Sequence, residues 1–213
     1  MTLDQAITRL HEADEALQAG PAQPFPIPLG NLEAIVAGSL AALSSGDWWI
    51  PGLRERVGAV LRDVPMERIY DSRQGARPYR IAPTDPSPAQ RALIAVGAAH
   101  ADTHQCALVH LGISALGDGD LHAALNLAGM LKPNVIFILA HQHLSADAPL
   151  GPQSAAKPLS LGKAHGLTTK SIDGHSAKAV KSAVTSAKKK GGPHWIVADL
   201  QAPDAPPSMP PVE

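Results

Sequence analysis

A single cysteine, Cys106, excludes an internal disulfide and any zinc site built on paired thiolates. Aromatic residues make up 3% of the 213-residue chain while 45% is hydrophobic, so the core has to be built from Ala, Leu, Val and Ile. Neither sign of charge dominates. The formal balance of −1 removes the electrostatic case for nucleic acid or an anionic membrane surface as partner. The longest apolar run, Val135 to Ala140, falls far short of the ~20 residues that span a bilayer. The N-terminal stretch MTLDQAITRLHEADEALQ is amphipathic but carries Asp4, Glu12, Asp14 and Glu15 and no long apolar region, so it is not expected to act as a secretory or transit signal. A soluble, cytoplasmic protein is expected.

Proline and glycine, in contrast, are plentiful, with 20 and 18 residues, and they punctuate the chain. Apolar residues at 3, 6, 7, 10, 14 and 17 have a helical period. The stretch AGPAQPFPIPLG, 19–30, breaks that helix, so residues 1–30 read as an N-terminal helix and Pro-rich linker. Asn31 is placed to cap a second helix running to about Leu43. A turn at Pro51 and a helix from about Leu53 follow, then an irregular Arg- and Pro-rich segment, 66–90. Helix is expected over 88–103, rich in small residues that permit close approach of a neighbouring backbone. From there strand and helix alternate: strand 106–112, helix 120–131, strand 134–140, a loop over 141–160, a short helix 159–167, strand 168–173, a lysine-ended helix stopped by glycine, and a last strand from His194. That alternation predicts an α/β fold with a mostly parallel sheet and helices on both faces. The α/β domain is placed at 31–201, and 202–213, APDAPPSMPPVE with its neighbours, reads as a disordered Pro-rich tail.

Four segments taken in order carry a resemblance. GDWWIPGLRERVGAVLRDVPMERI, SPAQRALIAVGAAHA, GDLHAALNLAGMLKPNVIFILA and SLGKAHGLTTKSIDGHSAKAVKSAVTSAKKKGGPHWIVADL follow one another. Together, over about residues 30–200, they resemble the alpha subunit of the thiamine-diphosphate-dependent 2-oxo-acid dehydrogenases of the pyruvate and branched-chain types. The resemblance implies a thiamine-diphosphate-binding-like fold. It also implies a cofactor motif in which Gly-Asp-Gly ends a strand and an Asn pair ends the next. The Asp and first Asn of that motif hold a divalent metal on the diphosphate, which needs hard oxygen ligands, and a helix N-terminus adds N–H donors.

The literal Gly117-Asp118-Gly119 does not fill that role. Only 21 positions separate Gly119 from Ala140, fewer than the family's spacing, and no asparagine occurs after Asn134. Aligned without a gap, the family's Gly-Asp-Gly falls on Gly112-Ile113-Ser114, directly after the strand ALVHL, and its Asn pair falls on His141-Gln142. Isoleucine cannot ligate a hard cation. The family's diphosphate-binding Tyr-Arg pair falls on Leu53-Arg54, a Glu at its alpha–alpha contact falls on Ala123, and Asn126 is kept. The family continues past the last strand into a loop whose His contacts the cofactor. Here the tail begins instead, and a truncated chain is expected. Gly117-Asp118-Gly119-Asp120 then reads as a helix entrance, with Asp120 as N-cap or first-turn acid.

Other residues stay open between chemistry and structure. His141 and His143 are spaced like a metal pair at the end of a strand, where α/β proteins place sites, but no third ligand is signalled. His100 and His104 are one helical turn apart without a catalytic Glu motif. Cys106 is either a nucleophile with an unseen base or a small buried hydrophobe. Lys188, Lys189 and Lys190 read as a solvated helix end. Arg54, Arg62, Arg68, Arg73, Arg77 and Arg80, with Tyr70 and Tyr79, suggest an anion site or an interface.

Three functions are compatible with these residues. The first is a catalytically degenerate relative of the alpha subunit, without thiamine diphosphate, magnesium or catalytic residues, acting through assembly as a homo-oligomer or with a beta-type subunit. Helices 88–103 and 120–131 are its candidate contacts. The second is an active subunit that performs oxidative decarboxylation of a 2-oxo acid with thiamine diphosphate and magnesium beside a beta-type partner. The third is a small-ligand module using a pocket of Gly112, Ile113, Ser114, His141 and His143.

Overall fold

A computed structural model describes residues 1–20, 27–70, 77–84, 87–142 and 154–200. Five strands, β1 (Trp48–Ile50), β2 (Ala107–Gly112), β3 (Val135–His141), β4 (Thr168–Asp173) and β5 (His194–Asp199), form one sheet in the order β1-β2-β3-β5-β4. Every pairing is parallel. Helices cover both faces, as the alternation of elements predicts. The strands therefore read as almost unbroken apolar runs rather than alternating ones.

Successive side chains point to opposite faces of the sheet. Leu108, Ile136, Ile138 and Ile196 meet a layer made by α1 (Leu3–Ala19), α2 (Glu33–Leu40), a 3-10 helix over Glu55–Arg62 and α7 (Ala177–Lys190). Val109, Leu111, Phe137, Leu139 and Trp195 meet a second layer of α4 (Pro88–Ala101), α5 (Gly119–Leu131) and α6 (Pro158–Ala164). A short α3 (Met66–Tyr70) packs against the 3-10 helix on the first side. The few aromatics are placed where volume matters most, with Trp49, Phe137 and Trp195 fully buried. Ala89, Ala92, Ala95 and Ala99 are the buried stripe of α4, which lets that helix lie close on α5 and β2, as its small-residue sequence suggests.

Close approach also explains Gly38. A Cβ there would lie 2.5 Å from the Ala177 carbonyl oxygen and 2.7 Å from Val180 Cβ, so α2 and α7 are nearly backbone to backbone. Local signals fix the helix ends. Thr2 and Ser87 each form a capping box with the Gln three residues on, and Ser176 caps α7. Lys188 to Lys190 complete the last turn of α7 before Gly191 at φ +70°.

Three expectations are corrected. Trp48–Ile50, before the turn expected at Pro51, is a strand where none was expected, because three residues between Asp47 and Pro51 are too few to show a period. The segment after Leu53 winds as a 3-10 helix, ending at Asp63 in the left-handed region. Asn31 caps nothing. It lies inside a short 3-10 turn, Gly30–Leu32, and no side-chain cap precedes α2. The tail at 202–213 and most of the 141–160 loop lie outside the described residues.

Candidate functional site

Ligand sites in open parallel sheets form at the carboxyl ends of the strands. Here β1, β2 and β3 are neighbours, and their ends deliver Leu53 and Arg54, then Gly112, Ile113 and Ser114, then His141 and Gln142 to one edge. Gly112 pairs across with Ala140, and His141 with Asp199 of β5. The sheet therefore brings together positions that lie far apart in sequence.

Arg54 organises the edge. Its Nε donates to the Pro28 carbonyl at 3.1 Å, Nη2 to the Leu29 carbonyl at 3.0 Å and Nη1 to Gln142 Oε1 at 3.3 Å. Gln142 Nε2 donates in turn to Asn31 Oδ1 at 2.5 Å. Gly30, at φ +62°, is pressed so closely on the Arg54 guanidinium that a Cβ would collide with it. The segment expected to be only a linker thus reaches the strand ends and takes two of the donors of Arg54.

The other positions are plainer. Gly112 is extended and leads into a 3-10 turn, Ile113–Gly117. Ile113 is half-buried and packs on the second core cluster, while Ser114 and Leu53 are exposed. His141 Nδ1 stands 4.0 Å from Asp199 Oδ1, at the limit of an ion pair. His143 lies outside the described residues, so the pocket and metal pair that would have used it are not formed from described groups. Among the described residues no three His, Cys, Asp or Glu side chains are placed to hold a metal.

Beneath Gly52 sit two charges that the sequence did not single out, Glu55 and Arg91. A Cβ on Gly52 would collide with Glu55 Oε2 and lie 3.0 Å from Arg91 Nη2. Both side chains are buried. Burial pushes the Glu55 carboxyl up, against its backbone hydrogen bonds and the charges of Arg91 and Arg54. Burial pushes Arg91 down, and Glu55 opposes it. A second unforeseen pair lies deeper. His110 Nε2 is 3.1 Å from Ser39 Oγ, and that hydroxyl donates to the Ile35 carbonyl at 2.6 Å. The hydroxyl proton is thus committed, so Nε2 carries the imidazole proton and Nδ1 faces inward as a bare acceptor. Burial, and then Arg91, push His110 down to about 3. The pair resembles a nucleophile and base, yet Ser39 is 0% exposed and His110 2%, so no substrate reaches it. It bonds α2 to the middle of β2.

The remaining candidates resolve into structure. α4 stops at Ala101, so His104 is not one helical turn from His100, and both are exposed. Cys106 is buried and its thiol is pushed up to about 12 by burial and by Asp47, which makes it a small hydrophobe. Lys188 is not a solvated end. Its Nζ donates to Asp47 Oδ2 at 2.5 Å and to the Ala42 carbonyl at 3.3 Å, while Lys189 and Lys190 are exposed. Arg54, Arg62 and Arg80 are braces rather than an anion patch, and Arg68 is exposed on α3. Arg62 donates to the Asp47 and Tyr79 carbonyls, and Arg80 lies over the Trp48 ring and reaches Asp102. Arg73, and the side chains of Tyr70 and Arg77, lie outside the described residues. Gly117-Asp118-Gly119-Asp120 is a helix entrance, with Asp118 as N-cap accepting from the Asp120 N–H at 2.9 Å and Asp120 as first-turn acid.

A wholly parallel sheet covered on both faces, with three adjacent strand ends meeting at one edge, is an α/β architecture of the kind the thiamine-diphosphate-binding class adopts. The chain belongs to the dehydrogenase E1 component family, whose model matches residues 4–193. Its relatives include the 3-methyl-2-oxobutanoate dehydrogenase subunit alpha of Mycobacterium tuberculosis, 28% identical over 188 residues, covering 80% of this chain and 51% of that one. The pyruvate dehydrogenase E1 component subunit alpha of Bacillus subtilis is 24% identical over 178 residues, covering 78% and 48%. The mitochondrial 2-oxoisovalerate dehydrogenase subunit alpha 2 of Arabidopsis thaliana is 32% identical over 100 residues, covering 45% and 21%. The chain thus spans about half of these relatives' length or less.

Proposed function

We propose that this chain is a catalytically degenerate member of the E1 alpha group, acting through protein assembly rather than through cofactor chemistry. The observation that carries this reading is the bonding of Arg54. The one arginine matching the family's diphosphate anchor commits three of its five N–H donors to Pro28, Leu29 and Gln142, and Gln142 spends its amide on Asn31. A diphosphate taking both donors of either fork of the guanidinium would have to displace at least one of these bonds. The residues present also do not fit a metal on that diphosphate. Ile113 offers hydrocarbon where a hard cation needs oxygen, and the position of the family's first Asn holds His141, an imidazole rather than an oxygen donor.

Assembly has a candidate surface on the outer side of α4 and α5. Ile94, Leu127, Met130 and Leu131 are exposed there, Met130 by 69%, beside Ala123 and Asn126. A second copy of the chain or a beta-type subunit fits such a surface.

Calorimetric titration with thiamine diphosphate and magnesium is the decisive experiment. No binding is expected, and micromolar or tighter binding overturns the reading. For assembly, light scattering on the wild type should give more than a monomer, and Leu127→Glu with Met130→Lys should reduce that mass. A monomeric wild type defeats the homo-oligomer. The family match and the retained Arg54 favour one second reading, an active subunit beside a beta-type partner. Decarboxylation of a 2-oxo acid after mixing with such a partner would establish it in place of the first.

A further inference from the structure

Charge is sorted along this chain. Residues 1–131 carry nine arginines and no lysine against fourteen acidic residues. Residues 154–200 carry eight lysines and no arginine or glutamate against Asp173 and Asp199. The fold concentrates those lysines around β4, the edge strand of the sheet, with α6 and α7 packed on either side of it. Lys163 on α6, Lys170 on β4, and Lys178, Lys181, Lys189 and Lys190 on α7 are all exposed. Lys190 Nζ lies 3.5 Å from Thr168 Oγ1, which puts the end of α7 beside the start of β4. The ion-paired lysine of this region among the described residues is Lys188, on Asp47. The six exposed lysines have no carboxylate partner there.

The edge itself is open among the described residues. The Thr168 N–H bonds the Pro193 carbonyl and the Gly174 N–H bonds the Asp199 carbonyl. By the two-residue repeat of a strand, the backbone groups of Thr169 and Ser171 face away from β5. The strand is polar on both sides, Thr-Thr-Lys-Ser, so it offers hydrogen bonds rather than apolar pockets. One lysine in the strand suffices to repel a second copy of the same edge. Five more on the flanking helices exceed that need. No exposed aromatic residue or arginine accompanies them, which sets the surface apart from nucleic-acid sites with their stacking platforms.

We infer that the β4 edge, with its flanking lysines, is a docking surface for an acidic, extended segment of a partner protein, which adds to the sheet as a strand. Main-chain bonds to Thr169 and Ser171 would fix the segment, and alternate acidic side chains, which share one face of a strand, would meet Lys170 and Lys190 on the α7 side. The inference is independent of whether the chain binds a cofactor.

The test uses the full chain and a fluorescent peptide of four Thr-Glu repeats, with four Thr-Gln repeats and an oligothymidylate of equal charge as comparisons. The Thr-Glu peptide should bind, at least tenfold more weakly in 0.5 M salt than in 0.05 M salt, as exposed charge pairs require. Lys170→Gln and Lys190→Gln should each weaken it at least threefold, and Arg68→Gln, exposed on α3 away from β4, should not. Binding should slow amide exchange at Thr169 and Ser171. The inference is overturned by absent binding, by equal binding of the Thr-Gln peptide, by equal or tighter binding of the oligothymidylate, or by unchanged exchange at Thr169 and Ser171. Circular dichroism of the variants separates a lost surface from a lost fold.

Discussion

Two charged residues tie distant segments together at opposite ends of the first strands, and they do it differently. Asp47, just before β1, is 2% exposed. It accepts from Lys188 Nζ, from the Ser44 N–H at 2.6 Å and hydroxyl at 2.7 Å, and from the Cys106 N–H at 2.9 Å. Arg54, just after β1, is half-exposed and bonds only neutral acceptors, the Pro28 and Leu29 carbonyls and Gln142. The first is a buried charge matched by an opposite charge and by backbone donors that have no other partner. The second is a charge with water close by and partners that water can replace. Asp47 therefore belongs to the fold, whereas Arg54 orders one edge of it.

Removing Asp47 should give the largest loss. Asp47→Ala leaves Lys188 partly buried without its carboxylate and strands the Cys106 N–H, a combination that costs about 3–5 kcal/mol. Urea unfolding measures it, and a loss below about 1 kcal/mol would put Asp47 on the same footing as Arg54. Burial alone would raise the Asp47 pKa, but the bonds from Lys188, Ser44 and Cys106 outweigh it and hold the carboxyl below its ordinary value. The stability it contributes is thus fully present above the unfolded value near pH 4 and is lost as pH falls through the lower folded one. Asp47→Asn should flatten that acidic limb.

Gly38 comes next, in the same first layer. Gly38→Val forces α2 off α7, where even a Cβ meets Ala177 and Val180, and overpacking of this kind costs about 1–3 kcal/mol. A wild-type midpoint in the variant would mean that the two helices separate freely.

His110 supplies a pH test of the interior. Its folded pKa, near 3, lies far below the unfolded value of about 6.5, so between those limits the unfolded chain binds one proton more than the folded one. Stability falls as pH drops through that window, by about 1.4 kcal/mol per unit for this one proton. His194 and His165 are also lowered, chiefly by burial, and add in the same direction. His110→Gln should reduce the slope of stability against pH between 6 and 4 by close to one proton. An unchanged slope would show that the ring is protonated in the folded state.

Much of this architecture was legible because period and punctuation are local. β2 to β5 announce themselves as short apolar runs or alternating segments between glycines and prolines, and Pro88 after Ser87 marks a helix start. β1 was not legible, since Trp48–Ile50 is too short to show a period and its burial comes from neighbours. Nor was the insertion of β5 between β3 and β4, because strand order is a property of the packed sheet. At the edge, the positions Leu53, Arg54, Gly112, Ile113, Ser114, His141 and Gln142 were found one at a time by resemblance. Their bonding was not, because it runs through residues 28–31, which composition marks only as a proline-rich connection. Glu55–Arg91 and Ser39–His110 were missed for a similar reason. A buried polar residue has the same letter as an exposed one, and only a partner across the fold gives it meaning.

The smallest effects are expected where the comparison began, at Arg54. Arg54→Ala removes three hydrogen bonds, but the one to Pro28 is exposed and the other two are only partly buried, so water replaces much of them and the global cost should be only about 1 kcal/mol. Gln142→Ala should cost less still, since it breaks one bond to Arg54 and one to Asn31, both at an open edge. The signature of these variants is local rather than global. Amide exchange at Gly30 and Asn31 should quicken while exchange at Leu108 and Ile138, in the sheet centre, stays unchanged. If Arg54→Ala instead destabilised the protein as much as Asp47→Ala, residues 28–31 would be a structural wedge on which the whole sheet depends. A small, local effect would identify them as a cover that can lift from the strand ends without unfolding what lies beneath.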